Sequence, residues 1–220
     1  MKKFFLIAAC AVCTLTASAQ RASSSSSSFF STEKATQPIT FGARAGVNFA
    51  SLGGDTEELD GRTAFNVGVS VDIPILESFY VQSGLYYTQK GAKREESDYD
   101  EYEKTTISPS YLEIPILASY RYNFSENSQL QFNVGPYLAY GVGGKVKEES
   151  GNERNERVQK ADYFGNLAKR FDLGWQVGLG YTYKHIYAGF AYESSLTDIS
   201  DIDGVTLRNN NFMIQLGYNF

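Results

Sequence analysis

The feature that most constrains this fold is a strict alternation of apolar and polar residues. In residues 171–183, for example, Phe171, Leu173 and Trp175 alternate with Asp172, Gly174 and Gln176. Neighbouring side chains of a β-strand point to opposite faces, so a period of two predicts strands that are apolar on one face. Eight stretches have this pattern: residues 39–49, 65–73, 79–89, 111–122, 130–142, 171–183, 185–193 and 211–220.

The connections between these stretches alternate in length. Three are short, namely residues 74–78, residues 123–129 and Lys184. Four are long and polar: residues 50–64, 90–110, 143–170 and 194–210. Tight turns at one end and long loops at the other are typical of a membrane barrel. We therefore predict an all-β fold over residues 39–220, an eight-stranded antiparallel up-and-down transmembrane β-barrel with both chain ends on the short-turn side. Pro115 and Pro136 lie inside strands, where we expect bulges.

Alternation alone does not identify the solvent that meets the apolar face. A soluble, lipocalin-like ligand-binding barrel would have the same period with its apolar face inward. Here, however, the second face consists mostly of Gly, Asn, Gln, Ser and Thr, whereas a water-facing surface usually carries many Lys and Glu residues. Aromatic residues also cluster near the strand ends, as in the girdles of membrane barrels. These features favour lipid outside, and the soluble barrel stays as the alternative.

A few charged residues interrupt the polar face. We expect them to form a polar network that fills the lumen, because eight strands leave little interior space. General porin activity is then not expected, although a narrow channel for small solutes stays open as an alternative function. The residues are Arg44, Asp72, Glu113, Arg121, Asp172 and Glu193.

The N-terminus has the layout of an export signal. Residues 1–19 combine two lysines, an apolar run and Ala17-Ser18-Ala19, which predicts a signal peptide with cleavage before Gln20. An alternative takes residues 7–10 as a lipoprotein cleavage box ending at Cys10. Residues 20–38 are rich in serine and are expected to form a flexible leader. Both cysteines of the chain lie in the signal, so the mature chain would have none.

Several motifs resemble the PorT-like outer-membrane β-barrel family. Residues 111–117, YLEIPIL, are similar to its YLEIPLL motif, and residues 41–48 are similar to its G-x-K-x-G-x-N first strand, with Arg44 in place of Lys. Residues 171–174 and 177–180 resemble its sixth strand. The resemblance implies a Gram-negative outer-membrane protein of eight strands, mostly without an assigned activity. Some members take part in protein secretion, but no motif carries that role here.

The resemblance also implies partners for the C-terminal strand and the outer surface. The terminal aromatic residue matches the ending that the barrel-assembly machinery recognises. Outer-membrane lipid and lipopolysaccharide are expected to surround the barrel. The residues of the assembly signal are Phe212, Ile214, Leu216, Tyr218 and Phe220.

The sequence offers little support for catalysis or metal binding. The one histidine, His185, follows the shortest turn and is expected at the periplasmic rim, away from the long loops. Asp198, Asp201 and Asp203 precede Gly204, but their spacing departs from a Ca²⁺ loop. No cofactor is expected, and a net charge of −5 disfavours nucleic acid. We expect a monomeric, non-enzymatic protein with a role in envelope integrity, adhesion or secretion.

Two charged loop segments complete the prediction. Residues 93–104 and 145–160 mix both signs of charge, which is typical of a solvated loop surface. They are also candidates for recognition of a surface ligand, whose identity the sequence does not specify.

Overall fold

The computed structural model describes residues 33–54, 59–98, 101–152, 155–164, 167–202 and 204–220. The predicted signal peptide and residues 20–32 of the leader lie outside this part of the chain. Within it, no helix is long and apolar enough to cross a membrane. The described residues form ten β-strands: β1 Thr40–Gly54, β2 Asp60–Pro74, β3 Phe79–Gln89, β4 Ala92–Asp98, β5 Glu101–Ser125, β6 Ser128–Asn152, β7 Asn155–Asp162, β8 Phe171–Tyr183, β9 Ile186–Ser195 and β10 Leu207–Asn219.

Eight of these strands are hydrogen-bonded in a ring. The order is β1-β2-β3-β5-β6-β8-β9-β10, and every pairing is antiparallel. β10 then pairs with β1, with Ala45 opposite Leu216 and Val47 opposite Ile214. These strands cover the eight alternating stretches to within one residue at each end, so the predicted all-β antiparallel fold is confirmed. The last strand is thus paired with the first, as an up-and-down barrel requires.

The short connections lie at one end of the ring. They are residues 75–78, residues 126–127, and a two-residue turn in which Lys184 has a φ of 55°. The described end of the leader lies against the first of these turns. Lys34 forms a β-bridge with Leu76, and the Glu77 N–H donates to the Glu33 carbonyl at 3.1 Å.

Two long connections that the sequence predicted as loops contain β-structure instead. β4, residues 101–110 of β5, residues 143–152 of β6, and β7 form a four-stranded antiparallel sheet in the order β4-β5-β6-β7. This projecting sheet extends past the pairing of β3 with β5, which ends where Gln89 lies opposite Ser110. At about 3.3 Å per residue, its central strands reach about 30 Å beyond that point. The loop prediction was wrong because backbone pairing does not require an apolar face.

The predicted bulges at Pro115 and Pro136 were also wrong. The pairing register is the same on both sides of each proline. Proline lacks an N–H, and here the ladder next to Pro115 omits bonds without adding a residue. The β5–β6 pairing has its register shifts elsewhere: between Ser110 and Tyr111, where β6 contributes Val142 as an extra residue, and between Asn123 and Ser125, next to the short turn.

Candidate functional site

The two faces of the ring meet different surroundings. On β10, Phe212, Ile214 and Leu216 are exposed on the outer face, whereas Asn211 and Gln215 are buried inside. The other ring strands repeat this pattern, with polar side chains inside and large apolar ones outside. The arrangement is the reverse of a lipocalin-like barrel. A water-exposed surface this apolar would be costly, so the outer face is suited to lipid.

A buried lysine lies near the loop end of the interior. Lys90, which follows β3 directly, has its Nζ atom 2.8 Å from Glu113 Oε2 and 3.2 Å from Glu193 Oε2. Asp172 Oδ2 is 4.0 Å away, and the Tyr137 ring lies beneath the ammonium at 4.2 Å. We call these residues, without the tyrosine, the Lys90 cluster. One ammonium thus faces three carboxylates in a site closed to solvent.

Neutral donors complete the carboxylate environment of this cluster. Asn209 donates to Asp172 Oδ2 at 2.8 Å, and the Ser195 hydroxyl donates to Asp172 Oδ1. Asn211 donates to Glu193 Oε2 at 3.3 Å. Buried carboxylates are tolerated only with such compensation.

A second group of charges lies nearer the short turns. An Arg121 guanidinium nitrogen is 2.7 Å from Asp72 Oδ1, and Gln82 donates to the same oxygen at 2.7 Å. Arg44 donates to Gln82 Oε1 at 3.3 Å and stacks 3.9 Å from the centre of the Tyr187 ring. We call Arg44, Asp72, Gln82 and Arg121 the Arg121 cluster. The six charged residues expected in the lumen are therefore divided between two clusters.

Large rings and small residues fill the remaining interior. A Cβ atom on Gly180 would lie 2.4 Å from the Tyr187 ring, so glycine makes room for that tyrosine. Between the two clusters a cavity of about 20 Å³ remains, lined in part by Arg44, Glu113 and Gln215. Such a volume has room for about one water molecule.

An apolar cap covers the loop end of the interior. Phe164 packs edge-on against Tyr111, with ring centres 5.5 Å apart, and lies over Gly141. The connection before β8 is joined to the connection before β10 by the Lys169 N–H, which donates to the Ile199 carbonyl at 2.8 Å. The buried members of the cap are Tyr111, Tyr137, Ala139, Val146, Tyr163, Phe164 and Ala168.

The projecting sheet carries ion pairs of ordinary surface type. Lys104 Nζ is 2.8 Å from Glu95 Oε1, and Lys93 Nζ is 3.6 Å from the same atom. The hydrogen bond from Lys104 lowers the pKa of Glu95, and the positive charges of both lysines add to that effect. Solvated pairs of this kind stabilise a fold only slightly.

The remaining candidate residues have structural partners. His185 lies in the shortest turn, where its Nδ1 is 2.9 Å from the Asn219 carbonyl and its ring stacks on Tyr218. Asp198 accepts hydrogen bonds from the Leu207 and Ser200 amides at 2.9 and 3.0 Å, and these bonds lower its pKa. Asp203 lies outside the described residues. Within the described residues, no group of three or more His, Cys, Asp or Glu side chains is placed to hold a metal ion.

Sequence reasoning missed Lys90, which it assigned to a loop. Two signals could have identified it. Lys90 continues the inward phase of Gln82, Tyr86 and Thr88 on β3. The six predicted lumen charges also comprise four acids and only two arginines, which leaves an interior in need of another cation.

The ring of strands, its two contrasting faces and its filled interior together identify the structural class of the protein. A ring of eight antiparallel strands, apolar outside and polar inside over the described residues, is the architecture of a β-protein that crosses a membrane.

The family follows from comparison with known proteins. The model of the family "Outer membrane protein beta-barrel domain" matches residues 19–201. The chain belongs to this family and is an integral β-barrel protein of the Gram-negative outer membrane. A search of curated proteins gives no match.

Solved structures with a similar fold include three outer-membrane proteins. Ail, the attachment invasion locus protein of Yersinia pestis, is 16% identical, with 84% of this chain and 100% of that chain covered and a TM-score of 0.46. Neisserial surface protein A is 14% identical, with coverage of 84% and 100% and a TM-score of 0.41. OprG from Pseudomonas aeruginosa is 13% identical, with coverage of 86% and 97% and a TM-score of 0.43. Because these TM-scores are low, the family assignment rests on the family model.

Proposed function

We propose that this protein is a non-enzymatic surface-recognition protein, in which the β-barrel anchors the projecting sheet outside the cell. The observation that carries the proposal is the continuity of β5 and β6. Each runs for 25 residues from the barrel into the sheet, so the barrel fixes the sheet's position. A preordered surface loses less conformational entropy on binding than a flexible loop does.

The composition of the sheet indicates the kind of partner. Its strands are rich in charged residues of both signs, as in AKREESD of β4 and NERVQKAD of β7. Such a surface is suited to a polar, charged partner in water rather than to the membrane interior. Adhesion is the role this favours among those the sequence left open.

The filled interior supports a role other than transport. The Lys90 cluster, the Arg121 cluster and the apolar cap occupy the space that a solute would need. We propose that these charges stabilise the barrel and block flow, which disfavours the narrow-channel alternative. We expect no conductance above that of lipid alone in planar bilayers.

Several finer assignments belong to the same proposal. Residues 1–19 act as a cleaved signal peptide, and the aromatic C-terminal strand is the assembly signal. The barrel is monomeric, and its outer leaflet contact is lipopolysaccharide. Membership of the PorT-like family is supported by the YLEIPIL segment. No motif of this sequence supports a role in secretion. The absence of a catalytic role is supported by the position of His185 in a short turn.

The test compares the full chain with a trimmed variant in cells that lack the protein. The variant replaces residues 94–105 and 147–160 with short turns and keeps all eight barrel strands. Recognition predicts that the full chain increases cell adhesion to a coated surface and that trimming removes the increase. Heat-dependent gel migration must be the same for both, which shows that the barrel is intact.

Other outcomes would contradict the proposal. Equal adhesion of both strains would overturn it. A structural role of the barrel would be indicated instead if the trimmed chain and the full chain restored the detergent resistance of the envelope equally.

A further inference from the structure

The register shift at Val142, in the pairing of β5 with β6, lies at a pocket on the outer face of the protein. Val142 is the extra residue, so Val142 and Gly143 both face outward. The flanking residues Gly141 and Gly144 face the cap. A Cβ atom on Gly143 would meet nothing within 4 Å. The open pocket has a volume of about 510 Å³. Its lining includes Tyr87, Ser110, Val142, Gly143, Lys145 and Lys147.

The pocket lies where the apolar belt of the barrel ends. On β6, the outward side chains are apolar from Phe132 to Val142 and become cationic at Lys145 and Lys147. Lys145 is three residues beyond Val142, on the order of 10 Å along the strand. This places the ammonium groups at the height of lipid headgroups if the apolar belt lies in hydrocarbon.

Lys145 is available to bind an anion. Asp162 lies opposite it in the pairing of β6 with β7, yet the described residues form no ion pair with Lys145 within 4.0 Å. Lys147 pairs with Glu149 on its own strand. Tyr87 donates to the Ser110 hydroxyl at 2.8 Å, so the Ser110 hydroxyl can in turn donate a hydrogen bond.

We propose that this pocket binds the phosphorylated headgroup of an outer-leaflet lipid. A phosphate would accept hydrogen bonds from Lys145 and Lys147, while the acyl chain would lie along Val142 and Tyr140. A ligand with an anionic head and an apolar tail matches both ends of the pocket. The occupant is therefore a lipid and not a soluble phosphate ester. This inference rests on the proposed function, in which the projecting sheet lies outside the cell and the pocket therefore meets the outer leaflet. Binding of lipid in detergent does not depend on that orientation. The lipid-binding proposal and the recognition proposal can therefore fail separately.

The experiment titrates the full chain in detergent micelles with bis-phosphorylated lipid A and counts bound lipid by native mass spectrometry. Each lysine near a lipid phosphate contributes about fivefold in affinity. We expect Lys145→Gln to weaken binding about fivefold and the double variant with Lys147→Gln about 25-fold. The matched control, Lys93→Gln with Lys104→Gln, removes the same charge elsewhere on the projecting sheet and should bind as the natural chain does.

A second variant tests the pocket without changing its charge. Gly143→Trp places a large ring in the open space and should reduce binding with both lysines intact. Dephosphorylated lipid A should bind weakly to every variant. The proposal is overturned if Lys145→Gln binds lipid A unchanged, if Gly143→Trp does so, or if removing the phosphates has no effect.

Discussion

The ammonium of Lys90 lies 3.2 Å from the carboxylate of Glu193, although β3 and β9 are not neighbours in the ring. Three strands separate them on either side, so the ion pair crosses the interior. The pair to Glu113, at 2.8 Å, connects the same ammonium to β5. A single buried cation thus connects β9 with β3 and β5, neither of which is paired with it in the ring.

Removal of this cation should strongly destabilise the barrel. Lys90→Met leaves buried carboxylates without their partner, which typically costs about 3–5 kcal/mol in the free energy of unfolding. Urea unfolding in detergent, followed by heat-dependent gel migration, measures the loss. Lys93→Met, which removes an exposed and solvated pair, is the control and should change stability by less than about 1 kcal/mol.

The same measurement on Lys90→Met with Glu113→Gln should recover part of the stability. If Lys90→Met alone unfolds at the same urea concentration as the natural chain, the cluster does not contribute to stability.

The apolar cap depends on the missing side chain at Gly141. A Cβ atom there would lie 2.3 Å from the Phe164 ring, so Gly141→Ala should displace that ring at a cost of about 1–3 kcal/mol. We expect faster protease cleavage within residues 163–170. Gly143→Ala, two residues along the same strand, has open space for its Cβ and should be cleaved as slowly as the natural chain. Equal cleavage of the two variants would show that Phe164 does not hold the cap in place.

The connection before β10 should loosen in acid. Hydrogen bonds from the Leu207 and Ser200 amides lower the pKa of Asp198 in the folded protein below its ordinary value of about 3.9. Because the pKa of Asp198 is lower in the folded protein than in the unfolded one, its stabilisation is fully present at pH values above the unfolded-state pKa. It is lost as the pH falls through the folded-state pKa. The protection of the Leu207 amide, taken as its exchange rate relative to the intrinsic rate at the same pH, should therefore fall below about pH 4.

If Asp198 causes the pH dependence of exchange at the Leu207 amide, Asp198→Ala should remove that dependence. The variant should exchange rapidly at Leu207 at neutral pH and show little further change in acid. The neighbouring Asp201→Ala is the control and should keep the acid transition. A transition that persists in Asp198→Ala would assign it to another group.

The final aromatic residue should matter for assembly more than for stability. The Phe220 side chain is 74% exposed, whereas its N–H donates to the Phe41 carbonyl at 2.8 Å. Phe220→Ser should therefore reduce the amount of barrel inserted in cells and leave refolding into detergent almost unchanged. Phe41→Ser, at the same end of the paired strand, is the control for lost lipid contact. Equal losses in cells from both variants would contradict a specific C-terminal signal.

The eight barrel strands could be predicted because lipid and lumen impose opposite polarity on alternate residues. That reasoning failed where both faces meet water. Residues 92–98 and 155–162 pair as strands, but no apolar face marks them in the sequence. The polarity of the lumen was predictable, yet Lys90 was not identified, because a charged residue at the end of an alternating stretch resembles the start of a loop. The Phe164 cap depends on contacts between distant connections, which no local pattern records.

Contact between the apolar face of the ring and lipid can be measured at the chain's single tryptophan. Trp175 lies on the outer face of β8, on the loop side of the middle of the strand, with its ring 5.7 Å from that of Tyr192. The measurement is Trp175 fluorescence after reconstitution into bilayers whose acyl chains are brominated near the headgroup, compared with quenching by aqueous acrylamide. We expect strong quenching by the brominated lipid and little by acrylamide. Strong quenching by acrylamide, with none from the brominated lipid, would place the apolar face away from the membrane and contradict lipid contact.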